Sequence, residues 1–465
     1  MGTQVEAGTG TPLRAHDLLD PHAIAGLLGG SLPDPRPRAG TGVAYDARKV
    51  RPGDVFFAWQ GSARHGIELA EEVLAKGAAF IVSDRPHPRA VHVRDTWDAM
   101  RRLALAAREL VAAPVIGVTG SAGKTTVKTL LTAALAGRST PGNLNTVPPL
   151  LAAFVSAART DAGLQAPSGD VVGNDAPGAP LVIELGVDHP GEMAQLTGFT
   201  RPDHGVITTI GESHLSQLGD VAAVAREKAL LLSTATGVRV TTAGAAARLP
   251  ADVLARTHVT HLIGAEPITG LPGVPAGEVT GQLEGTTLRS LGARFELPWP
   301  GRAMAENALL VLVTAWLLGV DPRTAFERMV NAPLEKGRLR FTQLGHVTLI
   351  DDSYNSNPLS AALALEVLSA APRPRVAVLG DMRELGAVSR ERHLELGAAT
   401  NDLDLVIAVG EEAAALAESN PRALWAPDAQ AALALLDRVP RGATVLVKGS
   451  RSLGLERVVT ALEAR

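Results

Sequence analysis

The chain of 465 residues contains no cysteine. Disulfides, thiolate nucleophiles and cysteine-ligated zinc are therefore excluded. No segment offers a run of about 18 apolar residues free of charge, so no membrane span is expected. Net charge is only −4, which gives no electrostatic case for a nucleic-acid binder. A polyanionic ligand stays open, because a phosphate site is a local feature. The first twelve residues are rich in Gly and Thr and have no apolar signal core, so a frayed leader is expected. A soluble, cytoplasmic monomer is the reading. Aromatic residues are 3% of the chain, while Ala and Leu are plentiful. Ala is the best helix former, so many helices are expected. Hydrophobic content of 46% with 20% charged residues marks a globular chain. The length suggests about three domains.

The most informative stretch is Gly117-Val118-Thr119-Gly120-Ser121-Ala122-Gly123-Lys124-Thr125-Thr126. It follows a short apolar strand pattern and opens a helical one that runs to about residue 136. Strand, glycine loop, Lys-Thr and helix form the phosphate cradle of nucleoside triphosphate enzymes. Backbone N–H groups and the helix N-terminus favour anionic oxygens there. Lys124 adds a point charge, and the Thr125 hydroxyl can ligate magnesium. The motif is a shortened form, since Val118 stands where the full pattern has glycine.

Three units follow from the pattern of elements. Residues 15–111 read as a small α/β unit. In residues 112–334, strands at 114–118, 180–184 and 205–209 alternate with helices, which argues for a doubly wound parallel sheet. Within it, residues 166–180 read as an exposed loop, and residues 238–300 as extra strands beside the sheet. Residues 335–465 repeat the doubly wound pattern, with strands at 347–350, 375–379, 405–409 and 444–447.

Ligands of open parallel sheets collect beyond the carboxyl ends of the strands. Glu184 closes one apolar strand of the central unit, as a magnesium ligand or a solvated acid. His214 follows another, as a metal ligand or a hydrogen-bonded loop histidine. Lys228 lies in a helical pattern, where spacing alone suggests a surface charge. In the third unit, Asp351-Asp352-Ser353-Tyr354-Asn355-Ser356-Asn357-Pro358 can bind ribose hydroxyls and a substrate amide, or simply cap a helix. Leu379-Gly-Asp-Met-Arg-Glu-Leu-Gly386 and Lys448-Gly449-Ser450-Arg451 end later strands. Their glycines permit close backbone approach, and Lys448 and Arg451 supply cations for a carboxylate or phosphate.

Taken together, these motifs resemble the Mur ligase family, from Asp46 to about Glu456. Within it they are most similar to the branch that adds D-Ala-D-Ala to UDP-N-acetylmuramoyl-tripeptide. The resemblance implies an α/β fold of three domains: a small N-terminal domain for the UDP substrate, a central P-loop ATPase domain and a C-terminal Rossmann-like domain for the dipeptide and part of ATP. It implies an ATP-dependent amide ligase that works through an acyl phosphate, with two Mg2+ ions. Gly120, Ser121, Ala122, Gly123, Lys124, Thr125 and Thr126 would hold the triphosphate. Thr125, Glu184 and His214 would hold metal, with Lys228 as a carbamate. Asn307 would meet adenine, Arg338 the γ-phosphate and Asp352 the ribose. Asp46 and Arg48 would serve the uridine end, and Asn143, Asn145 and Thr146 the muramoyl peptide. Asn355, Asn357, Lys448, Ser450 and Arg451 would complete the substrate site.

The chain departs from the family pattern in several places, among them the loop after Asn145, which is about two residues short of the usual pattern. Ala47 stands where Ser is usual between Asp46 and Arg48, and His65-Gly66-Ile67 replaces an acidic Asp-Gly-His. Ala303-Met304 replaces the His-Asn that precedes the adenine-contacting Asn. Two rival readings are a folylpolyglutamate synthase-like ligase on the same scaffold and a nucleotide switch without ligase chemistry.

Overall fold

A computed structural model describes residues 6–7, 11–32, 37–61, 64–164, 169–174, 176–263 and 278–465. Most of the expected leader, residues 165–168 and 175 of the expected loop, and residues 264–277 of the expected extra strands lie outside the described residues. In the leader, Glu6–Ala7 pairs antiparallel with Thr11–Pro12.

The remaining strands among the described residues form three sheets. The first has the parallel order Gly42–Ala44, Asp54–Ala58, Phe80–Ser83, Ala90–His92. Its two middle strands are buried along their whole length, as continuous apolar runs of a covered parallel sheet should be. The helix Thr96–Leu110 links this sheet to the next. Its Met100, Leu103 and Ala107 share one apolar cluster with Val55 and Phe57 of the first sheet and with Leu150, Phe154 and Ile183 of the central unit.

Among the described residues the central sheet has ten strands. Val115–Thr119 lies between Leu181–Glu184 and His204–Ile207, parallel to both. The chain leaves this first strand for one side and later returns to the other, so the glycine loop sits at the switch point of the sheet. The extra strands expected beyond residue 238 extend the sheet through Arg239–Thr242, His258–Ile263, Glu278–Glu284, Thr287–Ser290 and Ala293–Glu296. The helix Lys124–Ala134 buries Val127, Leu130, Leu131 and Ala134, one face of a 3.6-residue repeat. That face shares a core with Leu309, Leu312 and Val313 of the helix Arg302–Leu317.

The third sheet runs Arg340–Gln343, Thr348–Asp352, Thr444–Lys448, Arg375–Gly380, Leu405–Val409, Ala423–Ala426, parallel except for its first pair. Sequence reading missed the two outer strands and placed Asp351 and Asp352 after a strand. Both are its last residues.

The expected loop at 166–180 is exposed over most of its described residues, and two features add to that reading. Val172–Gly173 pairs antiparallel with Arg138–Ser139 at the edge of the central sheet. The neighbouring Asp170 is buried against Arg51 of the first unit at 3.1 Å, and burial pushes its carboxyl up to about 6. Turn residues in this stretch therefore accompany a tether between two units.

Arg138 itself is fully buried and meets Asp161 at 2.5 Å. Asp161 also accepts the backbone N–H groups of Ala112, Ala113 and Gly178. Asp161→Ala leaves a guanidinium buried and uncompensated, so it should cost about 3–5 kcal/mol. A thermal melt checks this: a clear fall in Tm is expected, and an unchanged Tm would show that the pair carries no stability.

Candidate active site

Cross-strand register levels the carboxyl ends of the three central strands. Val118 pairs with Glu184, and Thr119 with Ile207. The loop between Thr119 and Lys124 is tightly fitted. Gly120 has φ 153°, and a Cβ there would lie 2.0 Å from Thr208 Oγ1. Gly123 has φ 80° and opens the helix, a left-handed conformation that glycine adopts without strain. Ser121 Oγ meets Ser213 Oγ at 2.9 Å, and the Ala122 N–H donates to Thr209 Oγ1.

Four titratable groups define the chemistry here. Lys124 Nζ donates to Gly120 O at 2.8 Å, which folds the lysine over its own loop. Burial lowers its pKa, and Glu184 opposes that shift. Glu184 is only 1% exposed. Its carboxylate accepts Thr125 Oγ1 at 2.8 Å and Asn145 Nδ2 at 3.1 Å. His214 stands at φ 53°, with Nδ1 at 2.5 Å from Glu384 and 3.2 Å from Asp188 but aligned in a hydrogen bond to neither. Its pKa is lowered by burial, against the pull of those two carboxylates. Lys228, on the helix Val221–Thr234, is 1% exposed. Burial, followed by the charge of Lys124, brings its pKa from 10.5 to about 7. The surface position that spacing alone suggested for Lys228 is thus overturned.

A cavity of about 760 Å³ joins all three units. It is lined by Ser121, Ala122, Gly123, Lys124, Thr125, Thr126, Asn143, Asn145, Thr146, Glu184, His214, Asn307, Arg338, Asp352, Asn355, Asn357, Lys448, Ser450 and Arg451. Of the expected site residues, Gly120, Lys228, Asp46 and Arg48 are not in its lining. Gly120 supplies the carbonyl that holds Lys124. Lys228 lies behind the lining, within electrostatic reach of Lys124, Asp188 and Glu184. Asp46 and Arg48 pair with each other at 2.7 Å, with the Arg48 side chain 87% exposed. His65 is buried, contacts Asp84 at 2.8 Å and caps a short helix, so its replacement of an acid has a structural role.

The third unit changes the reading of several groups. Asn357 caps the helix Pro358–Ser369 through Ser360 N, and its Nδ2 donates to Ser121 O at 3.0 Å. Both ends of its carboxamide are therefore engaged, and it joins this unit to the glycine loop. Lys448 is buried and donates to Asp352 at 2.6 Å and to Asn355 O at 2.9 Å. It orders the turn as the partner of Asp352, in place of the free cation expected. Arg338 stacks over the Tyr354 ring at 3.9 Å. Its Nε is buried without a hydrogen-bond partner, a donor that suits an anionic oxygen. Among the described residues, no three His, Asp or Glu side chains cluster to hold a metal. Thr125 and Glu184 still offer adjacent hard oxygens, which fits Mg2+, since that ion takes one or two carboxylates beside phosphates and water.

Trp97, Asp188, Glu306, Arg383 and Glu384 also line the cavity. Arg383 and Glu384 lie inside a motif already noted. Trp97 and Glu306 sit in helical patterns with no signal of their own.

A phosphate loop at the switch point, faced by a lysine, an arginine and a buried acid, defines a P-loop nucleotide enzyme. The descriptions of two family models fit the chain: the Mur ligase middle domain over residues 118–315, and the Mur ligase glutamate ligase domain over residues 337–451. The chain belongs to the Mur ligase family. It is 32% identical to the UDP-N-acetylmuramoyl-tripeptide–D-alanyl-D-alanine ligase of Escherichia coli, over 90% of this chain and 93% of that protein. It superposes on MurF from Acinetobacter baumannii with TM-score 0.79 and 25% identity, covering 98% of this chain and 99% of that one. MurF from Thermotoga maritima, solved in complex with ADP, gives TM-score 0.73 and 25% identity, covering 91% and 97%.

The lowered pKa of Lys228 has a thermodynamic consequence. Between about pH 7 and 10 the unfolded chain holds a proton on this amine that the folded chain has lost, so Lys228 makes stability rise with pH across that window. Below it, both states are protonated and the contribution is flat. Urea unfolding in carbon dioxide-free buffer should show this rise in the wild type and its loss in Lys228→Met. Parallel pH profiles would contradict a buried, neutral amine.

Proposed function

We propose that this chain is an ATP-dependent ligase that joins D-Ala-D-Ala to UDP-N-acetylmuramoyl-tripeptide in peptidoglycan precursor synthesis. The observation that carries the reading is the single cavity in which Lys124, Glu184 and Arg338, from two units, face one space. The names of the full-length relatives support the substrates. Residues 15–111 hold the UDP end, residues 112–334 the triphosphate, and residues 335–465 the dipeptide and part of ATP. The enzyme acts in the cytoplasm as a monomer. Among the described residues, no helix is long and apolar enough to cross a membrane.

The first step brings two anions together. The terminal carboxylate of the tripeptide attacks the γ-phosphorus of ATP, and ADP departs. Lys124 exchanges Gly120 O for a phosphate oxygen, and Arg338 turns its unpartnered N–H toward the γ-phosphate. Both charges grow in value as water leaves the cavity. In the second step, the dipeptide amine attacks the acyl carbon. The C–N bond forms, the tetrahedral intermediate expels inorganic phosphate, and the amine loses a proton. Thr125 and Glu184 would hold one Mg2+, which supplies charge neutralisation on the phosphates when bound. His214 is the candidate for a second. Lys228, as a neutral amine, can take up carbon dioxide and lose a proton to become a carbamate anion beside these groups. Closure of the units shields the acyl phosphate from water.

ADP release and amide formation with ATP, UDP-N-acetylmuramoyl-tripeptide and D-Ala-D-Ala test this directly. Nucleotide binding with no acyl phosphate trapped by hydroxylamine would favour the switch reading, and turnover of folate instead would favour the folylpolyglutamate reading. Lys124→Ala should lose at least about a hundredfold in turnover, and wild-type rates would rule out the loop assignment. Lys228→Ala should be inactive and partly rescued by short carboxylic acids. Full activity without additives would refute the carbamate.

A further inference from the structure

The helix Arg302–Leu317 carries a carboxylate that the mechanism above does not use. Glu306 is half-buried and lines the main cavity next to Asn307, as well as two smaller adjoining cavities of about 320 Å³ each. Its Oε1 accepts Arg302 Nε at 3.0 Å, and Arg302 is fixed from a second side by donating to Leu262 O at 3.2 Å. Among the described residues, no hydrogen bond reaches Oε2. The carboxylate is thus held at one oxygen and presents the other. Burial pushes its pKa up, and Arg302 opposes this.

The layout fixes what lies in front of it. The triphosphate end of a nucleotide in the glycine loop faces Glu184 and His214, where the second anion arrives. The base must then lie on the other side of the loop. Asn307 marks the way, since its carboxamide comes within 3.0 Å of where a Cβ on Gly123 would be. The same cavity is lined by Ala303, Met304, Glu306, Thr242 and Leu363, and Thr242 and Glu306 also line both smaller cavities. Ala303 and Glu306 are three residues apart and so share a helix face. The side chain at 303 is small where the family pattern has a polar ring, and it lines the same cavity as Glu306.

We propose that Glu306 selects the nucleotide base, its free carboxylate oxygen accepting the exocyclic 6-amino group of adenine. A 6-keto purine would set its carbonyl oxygen against that carboxylate and be rejected. The assignment rests on the ATP reading above and goes beyond it by naming the residue that reads the base.

Titration calorimetry with ATP and with purine riboside triphosphate, which lacks only the 6-amino group, tests this. A hydrogen bond to a charged group predicts that the wild type binds ATP about tenfold or more tightly than the analogue. In Glu306→Ala the two affinities should agree within about twofold. Glu306→Gln keeps the shape and the contact to Arg302, and decides the matter if the alanine variant does not fold: its preference should shrink by at least about threefold. A wild type that binds both nucleotides alike, or a variant that keeps the full preference, would overturn the assignment. The two readings fail separately. Amide formation with no base preference would sink Glu306 alone, and base preference without amide formation would sink the ligase reading alone.

Discussion

The site depends on one buried carboxylate. Glu184 accepts a hydrogen bond from Thr125 on the glycine-loop helix and another from Asn145 on the next connection. An ionised carboxylate out of water is costly unless its oxygens are satisfied and positive charge is near. Lys124 supplies that charge from the glycine-loop helix, and the amine of Lys228 stands within electrostatic reach on a second helix. Glu184 in turn is among the acids that oppose the lowering of both amine pKa values by burial. The loop, the strand end and the lysine helix are therefore placed by mutual need, and each would be costly to bury alone.

The same logic organises the third unit. Lys448 and Asp352 neutralise each other inside it and fix the turn that carries Tyr354. That ring supports Arg338, the cation aimed into the cavity. Three further contacts join this unit to the central one: Asn357 on Ser121, Glu384 beside His214, and Arg392 with Glu212 at 2.8 Å. All lie at the rim of the nucleotide loop. The state described is thus one in which the units already meet across the site, and closing requires no new scaffold.

Much of this was legible in the sequence. The glycine loop, the central strand ends and the doubly wound third unit were read from apolar runs and turn residues, because these are local signals. Resemblance was needed for Lys228, since a helix position gives no hint of burial when both faces are rich in Ala and Leu. What the sequence hid were partners. Asn357 looked like a substrate contact, and its carboxamide is engaged by a helix cap and a neighbouring unit. Lys448 looked like a free cation, and its charge is matched by Asp352 across a parallel strand pair. The stretch around Asp170 looked like solvent-exposed loop, because Gly, Pro and Asp also serve a tether whose partner, Arg51, lies 119 residues away. Such pairings depend on distant chain segments, and no local pattern records them.

The central claim is that cations on one rim let two anions meet. A crystal structure with a non-hydrolysable ATP analogue and UDP-N-acetylmuramoyl-tripeptide tests it most directly. The account predicts Lys124 Nζ moved from Gly120 O onto a phosphate oxygen, Arg338 on the γ-phosphate, and the peptide carboxylate facing that phosphorus. A triphosphate bound away from the glycine loop, or a carboxylate held out of reach of the γ-phosphate in the closed complex, would contradict it.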